Sequence, residues 1–314
     1  MDTSRRGFIG AGGAALGGLF AAARLPAFAD APEQFPNRGR WERLSVTCRH
    51  IDAGASKPFS VLHISDTHLT AAYPNESEWT RNFMAKRTTT FGGRQEEALR
   101  DSLAWAKQHV DYVMHTGDLI DAFSEANLDL VKKYYGIGGK AMGGALGNHE
   151  FFHGQKNEDE AAKTATRSRL AAAYPFDVSL SSTVVNGVNF VTLDDAYGAV
   201  TAEQAGRFEA EAKKGLPIIL CMHCPFSTPT IYRAATKFWR RNVLKAVPDA
   251  KSWREGYRDP TTKNFVAYLK SLKSLKGILA GHLHIDVQDR FSPTAMEYVV
   301  GGNFLFHGAE ITIS

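Results

Sequence analysis

Five short apolar stretches of this chain end abruptly, and each is followed within a few residues by a histidine, aspartate or asparagine. The stretches are Phe59–Ile64, Tyr112–Met114, Ala141–Leu146, Ile218–Met222 and Ile278–Ala280. Most are runs of Val, Ile, Leu and Phe bounded by Gly or Asp, which read as buried strands. Val188–Leu193 is a sixth such run, and Asn186-Gly187 before it signals a hairpin from Thr183–Val185. Further strand signals crowd the C-terminus around Val287, Tyr298–Val300 and Ile311–Ile313. Between the strands, Leu99, Leu103, Ala106 and Val110 recur at helical spacing within Arg94–Val110, and Ala202–Lys213 and Thr262–Leu272 also read as helices. Strands interleaved with helices require a sheet-based α/β core with helices outside. In such sheets the loops beyond the carboxyl ends of strands converge, so whatever follows each strand is a candidate to meet in space.

Composition narrows the class. With 44% hydrophobic and 22% charged residues over 314 positions, the chain is an ordinary globular protein, neither disordered, collagen-like nor multi-spanning. Three cysteines are too few for a disulfide framework. A net charge of +4 does not suggest a dedicated nucleic-acid binder, so no stable nucleic-acid partner is expected.

The N-terminus belongs to targeting rather than to fold. Ser4-Arg5-Arg6-Gly7-Phe8-Ile9 resembles the twin-arginine export motif, followed by a Gly/Ala-rich apolar run from Ile9 to Ala23 and by Ala27-Phe28-Ala29, a small-x-small cleavage signal. That run falls short of the ~20 residues a spanning helix needs. The expectation is a signal peptide over 1–29, cut after Ala29, and one domain over 30–314 with no membrane span. The domain would be delivered by the twin-arginine translocation machinery to the periplasm or the outside. An uncleaved anchor is the alternative. Twin-arginine passengers cross already folded, so a metal site could be filled before export, away from competing copper and zinc.

The strand ends carry the chemistry. Asp66-Thr67-His68 follows the first run, Gly117-Asp118-Leu119-Ile120-Asp121 the second, Gly147-Asn148-His149-Glu150 the third, His223 the fourth and Gly281-His282-Leu283-His284 the fifth. Any one motif arises often by chance; five in order at strand termini do not. The pattern resembles the calcineurin-like metallophosphoesterase family: D-x-H, G-D, G-N-H-[DE], a lone H, then G-H-x-H. It spans residues 66 to 284.

The resemblance implies an α/β four-layer αββα sandwich with two metal ions of the Mn, Fe or Zn type. It implies that Asp66, His68 and His284 bind one metal, that Asn148, His223 and His282 bind the other, and that Asp118 bridges them. A carboxylate suits the bridge, because two cations ~3.5–4 Å apart need an anionic oxygen between them. The implied reaction is hydrolysis of a small anionic phosphomonoester or phosphodiester by in-line attack of a metal-bridging hydroxide. His149 would act on the leaving-group side, and Asp121 would orient it. The His63–Leu69 run is also similar to class III cyclic-nucleotide phosphodiesterases, although those carry His-His-Pro where this chain has Met222-His223-Cys224-Pro225. Two other readings are a non-catalytic, metal-stabilised binding module on the same fold, and a nuclease.

Other residues invite blander readings. His63 and His115 lie in strand segments and read as satisfied core histidines. His50, His109, His153 and His307 belong to no motif. Cys221 and Cys224 flank His223 as packing residues, with a disulfide as the alternative. Asp194-Asp195 reads as scaffold. Two stretches look like insertions near the site: Tyr73–Arg94, and a basic, aromatic-rich segment over 226–258 whose charge is +6. The second is expected to form a lid over an anionic substrate, or else a solvated helical surface.

Overall fold

The computed structural model describes residues 43–153, 160–240 and 259–314. The signal peptide expected over 1–29 and residues 241–258 of the basic insertion lie outside these. The described chain forms two sheets. The first runs β1 (Ser45–Ile51), β11 (His307–Ile313), β2 (Phe59–Ile64), β3 (Tyr112–Thr116), β4 (Met142–Ala145). The second runs β5 (Leu180–Val185), β6 (Val188–Leu193), β7 (Ile218–Cys221), β8 (Leu275–Ala280), β10 (Met296–Val299), β9 (Val287–Arg290). The helices are α1 (Glu78–Thr90), α2 (Gln95–His109), α3 (Glu125–Gly138), α4 (Glu160–Ala173), α5 (Ala202–Ala212), α6 (Pro229–Trp239) and α7 (Pro260–Ser271).

Alternation along the strands builds three apolar layers. Phe59 and Val61 of β2, with Tyr112 and Met114 of β3, pack against Phe190, Ile219, Cys221 and Leu279 of the other sheet. Leu62 and Ile64, on the opposite face of β2, pack with Leu99 and Leu103 of α2 and Leu128 and Val131 of α3. Val191, Ile218, Leu220 and Ile278 face outward from the second sheet onto Phe208 of α5 and Phe265 and Leu269 of α7. Strands covered on both faces leave no polar side of the sheet to water, which is why their sequences read as unbroken apolar runs. The layers are helix, sheet, sheet, helix, the expected αββα sandwich.

Local chemistry fixes the element ends. Thr201 and Gln204 form a reciprocal capping box on α5. The Asp259 carboxylate accepts from the Thr261 and Thr262 amides ahead of Pro260 at the start of α7. Asn186 and Gly187 both take positive φ, as the expected two-residue hairpin demands.

Register then positions the site. β2, β3 and β4 are adjacent and parallel, so the loops after them emerge side by side. β7 and β8 are likewise parallel neighbours. All five loops open at the same edge of the sandwich, where the two sheets touch through their loops. His223 Nδ1, after β7, donates to the Thr116 carbonyl of β3 at 2.8 Å. The His282 amide, after β8, donates to the Asp66 carboxylate at 2.9 Å.

Two readings of the insertions change. Phe226 is not a lid residue: it is 1% exposed, stacks on Phe291 at 4.8 Å, and its amide is held by Glu297 at 2.7 Å. Within α6, Ile231 and Ala235 pack on Ala280, Leu283 and Val299, so this part of the segment is attached to the second sheet.

Candidate metal centre

The backbone is strained where the motifs sit. Asp66, His68, Asp118, His282 and His284 all have positive φ, between 53° and 68°. Left-handed non-glycine residues are uncommon and cluster at functional sites. Here each kink turns a side chain across the strand ends. The kinked segments are pinned to each other by backbone bonds: Asp66 N to Gly117 O at 3.0 Å, His68 N to Asp118 O at 2.9 Å and Asp121 N to Leu69 O at 2.9 Å. The motif glycines are there for close approach. A Cβ on Gly117 would lie 2.7 Å from both Gly147 N and His223 Nδ1, and one on Gly281 would collide with Ser65 and Asp66.

Two groups of candidate ligand atoms result: Asp66, His68 and His284, and Asp118, His223 and His282, each with its atoms within 4.8 Å of one another. In the first, His284 Nε2 lies 3.2 Å from Asp66 Oδ1 and 3.1 Å from His68 Nε2. In the second, His223 Nε2 lies 3.2 Å from Asp118 Oδ2 and 3.2 Å from His282 Nδ1. Asp118 Oδ2 is also 3.7 Å from His68 Nε2, so one carboxylate oxygen stands between the groups. Asn148 is buried on the loop beside it, between Gly147, whose amide donates to Glu150, and His149, whose amide donates to Asp118 Oδ1 at 2.9 Å.

The donor set suits cations. Each inner histidine spends its other nitrogen on a partner: His68 Nδ1 donates to Asp121 Oδ1 at 2.8 Å and His223 Nδ1 to the Thr116 carbonyl, which turns both Nε2 atoms inward. Pairs of ring nitrogens 3.1–3.2 Å apart need a shared positive centre between them, a proton or a metal ion. Burial alone would raise the Asp66 and Asp118 carboxyls, but the rings of His284 at Asp66 and His223 at Asp118 hold both below the usual carboxylate range. Burial lowers His68 to about 4 and His282 to about 3, leaving neutral ligands. His223 goes the other way: the Asp118 carboxylate overcomes burial and raises it to about 10.

A third group, His68, Asp121 and His149, has similar spacing but already holds a cation. Arg87 from α1 grips the Asp121 carboxylate through Nε at 2.5 Å and Nη2 at 2.8 Å. Against the raising effect of burial, it keeps that carboxyl well below its ordinary value. Asp121 therefore serves two histidines. Its carboxylate holds His68, and its backbone carbonyl takes His149 Nδ1 at 2.8 Å, with the carboxylate 3.2 Å from the same nitrogen. The motif spacing links it to His149 alone; the fold adds His68. Burial opposes a proton on His149, but Asp118 and Asp121 outweigh it and raise this half-buried ring to about 9.

Supporting residues fall into place around this centre. Glu150 is fully buried and accepts from the amides of Gly147, Asp118 and Leu119 at 2.8, 3.0 and 2.7 Å, clamping two motif loops together. Burial, with Asp118 nearby, raises its carboxyl to about 7. Asp195 Oδ1 accepts from the His223 and Cys224 amides at 2.9 and 3.2 Å, the scaffold role expected of that pair. Asp194 pairs with the buried Lys163 at 3.1 Å. His63 and His115 bond Thr116 and Thr67 through Nε2 at 2.8 and 2.9 Å. Burial lowers each to about 3, so both are neutral core groups. Cys221 and Cys224 are buried free thiols.

A sequence profile of the family described as calcineurin-like phosphoesterase matches residues 59–286, the stretch that carries all five loops. The chain belongs to the calcineurin-like phosphoesterase family. As a member it is a metal-dependent phosphoric ester hydrolase, and the two groups above are its candidate cation sites. Among solved structures, it is similar to a dimetal phosphatase from Danio rerio at 14% identity and a TM-score of 0.50, covering 80% of this chain and 91% of that one. It is also similar to a 5′-nucleotidase from Candida albicans at 13% identity and a TM-score of 0.40, covering 83% of this chain and 48% of that one. The chain thus spans nearly all of the phosphatase but about half of the nucleotidase. At these identities the likeness extends to the fold alone. No curated protein matches the chain.

Sequence reasoning put Glu150 in the third motif and Asp195 in the scaffold, but it gave no role at the site to Arg87 or Phe91. Phe91 stacks on His68 at 4.6 Å, and the Arg87 guanidinium sits 4.7 Å from the Phe91 ring. The signal for α1 was present but faint: Met84, Arg87 and Phe91 recur at helical spacing and turn toward the loops.

Proposed function

We propose that this phosphoesterase is exported and hydrolyses small phosphomonoesters or phosphodiesters at a two-cation centre. Asp66, His68 and His284 would hold one ion and Asn148, His223 and His282 the other, with Asp118 placed to reach both groups. The observation that carries the reading is the position of Asp118 Oδ2, within 3.2 Å of His223 Nε2 and 3.7 Å of His68 Nε2, where a single anionic oxygen reaches both groups. Bound cations supply Lewis acidity toward phosphoryl oxygens and make water acidic.

The protein's own residues do the rest. Asp121 and the Thr116 carbonyl fix the rings of His68 and His223, so neither has to be oriented during turnover. His149, with Nδ1 committed to the Asp121 carbonyl, has Nε2 available to pass a proton to the departing oxygen. Glu150 keeps the Asp118 and Asn148 loops in register.

Export rests on Arg5-Arg6 and Ala27-Phe28-Ala29. Among the described residues no helix is long and apolar enough to cross a membrane. Replacing both arginines by lysine is expected to leave unprocessed precursor in the cytoplasm; normal processing would overturn the export reading.

The catalytic test is metal analysis of natively exported protein alongside a phosphoester panel. The panel comprises p-nitrophenyl phosphate, bis-p-nitrophenyl phosphate and a cyclic nucleotide. Turnover of at least one with two ions bound is expected. Inertness toward all three with both ions in place would contradict the proposal.

A further inference from the structure

A cluster of three aromatic rings, Trp79, Phe83 and Phe152, adjoins His149, each ring within 6.0 Å of the other two. The Phe152 ring is 6.2 Å from the His149 ring, Phe83 is 5.1 Å from Phe152, and Trp79 stacks on Phe83 at 4.9 Å with 14° between planes. All three rings are half-buried. None belongs to the three apolar layers that hold the sandwich together. On the Trp79 side of the cluster, Trp79 and Phe123 line an open, surface-facing concavity of about 540 Å³.

The polar lining defines what the cavity accepts. Glu76 is committed to the Tyr73 and Glu125 amides at 2.5 and 2.7 Å, and Glu125 pairs with Arg169. Both wall carboxylates thus already have partners. His153, also on the wall, has a buried Nδ1 with no partner among the described residues, able to meet a polar ring edge.

We propose that Trp79, Phe83 and Phe152 form a leaving-group subsite, selecting phosphoesters whose departing alcohol carries a planar aromatic ring. The proposal rests on the reading of His149 as the leaving-group-side residue, because the ring cluster adjoins that histidine through Phe152. An aromatic platform accepts any flat ring, and stacking a base on such a side chain contributes roughly ten- to hundredfold in affinity. An apolar aryl group and a nucleobase share this chemistry.

The test uses the metal-loaded enzyme and two substrate pairs with matched primary alcohols: 2-phenylethyl phosphate against propyl phosphate, and adenosine 5′-phosphate against ribose 5-phosphate. Wild type is expected to favour the ring-bearing member by roughly ten- to hundredfold in kcat/KM in at least one pair, and the pair that responds identifies the ring. Trp79→Ala is expected to bring that ratio to within about threefold, whereas Trp79→Phe, which keeps a ring, retains most of it. Phe83→Leu, which preserves bulk, is expected to fall between them. No preference in wild type, or a preference that survives Trp79→Ala, overturns the subsite. If no substrate is turned over, the functional reading fails separately, and calorimetric binding of the same compounds decides the subsite. Tighter binding of the ring-bearing member that is lost in Trp79→Ala supports it; equal binding of both members refutes it.

Discussion

The two candidate cation groups are built from similar residues but anchored differently. Around Asp66, His68 and His284, orientation comes from charge: His68 leans on Asp121, and Asp121 is held by Arg87 from a helix outside the sandwich layers. Around Asp118, His223 and His282, orientation comes from the fold: a β3 carbonyl holds the His223 ring, and Asp195 holds its backbone. The first arrangement depends on an ion pair that one substitution removes. The second depends on strand register, which no single surface residue controls. The first group is therefore the adjustable half of the centre, and the second the half the fold supplies.

Removing the shared residue should erase the distinction. Asp118→Asn is predicted to abolish turnover and the pairing of ions, read by activity and metal stoichiometry; an active variant with two ions would contradict the bridging role. A smaller loss is expected from His149→Asn, a fall in kcat of roughly 10²–10⁴ with both ions retained. Metal loss in that variant would mean His149 supports the centre instead. The comparison itself is tested by Arg87→Ala, which should weaken the first group's cation affinity by roughly 10–100-fold and leave the second unchanged. Titration of the metal-free protein would then show two separated binding steps, and equal weakening of both would break the comparison.

Protons sharpen the contrast further. His223 is raised to about 10 and His68 lowered to about 4, so at pH 8 the first carries a proton that a cation must displace and the second carries none. Histidine ¹⁵N resonances should show His223 passing from charged to neutral on metal addition while His68 stays neutral. A charged His68 before loading would refute the assignment. The smallest effect is expected from Asp195→Asn, which keeps the Oδ1 acceptor while relieving a carboxyl that burial raises to about 7. Its melting temperature should stay within ~2–4 °C of wild type, about 1 kcal/mol for a domain of this size.

The core strands and the five loops were legible because both are written in local chemistry. Buried strands demand unbroken apolar runs, and three of the five loops place Gly directly before Asp, Asn or His. What was missed depends on distant partners. β1 has no apolar run to betray it: Ser45–Ile51 is largely half-exposed and, among the described residues, pairs on one side only, with β11. α1 buries only Met84 among its thirteen residues, so its amphipathic signal is faint. Nothing local distinguishes Arg87 from the other cations of its stretch, since Asp121 lies 34 positions away. The left-handed backbone at Asp66, His68, Asp118, His282 and His284 is imposed by packing of one loop on another, which no spacing rule encodes.

The most direct test of the account is anomalous scattering from crystals of the manganese-loaded protein. It predicts two peaks ~3.5–4 Å apart, one among Asp66, His68 and His284 and one among Asn148, His223 and His282, with Asp118 between them. A single peak, or a peak at Asp121 and His149 in place of Arg87, would contradict it.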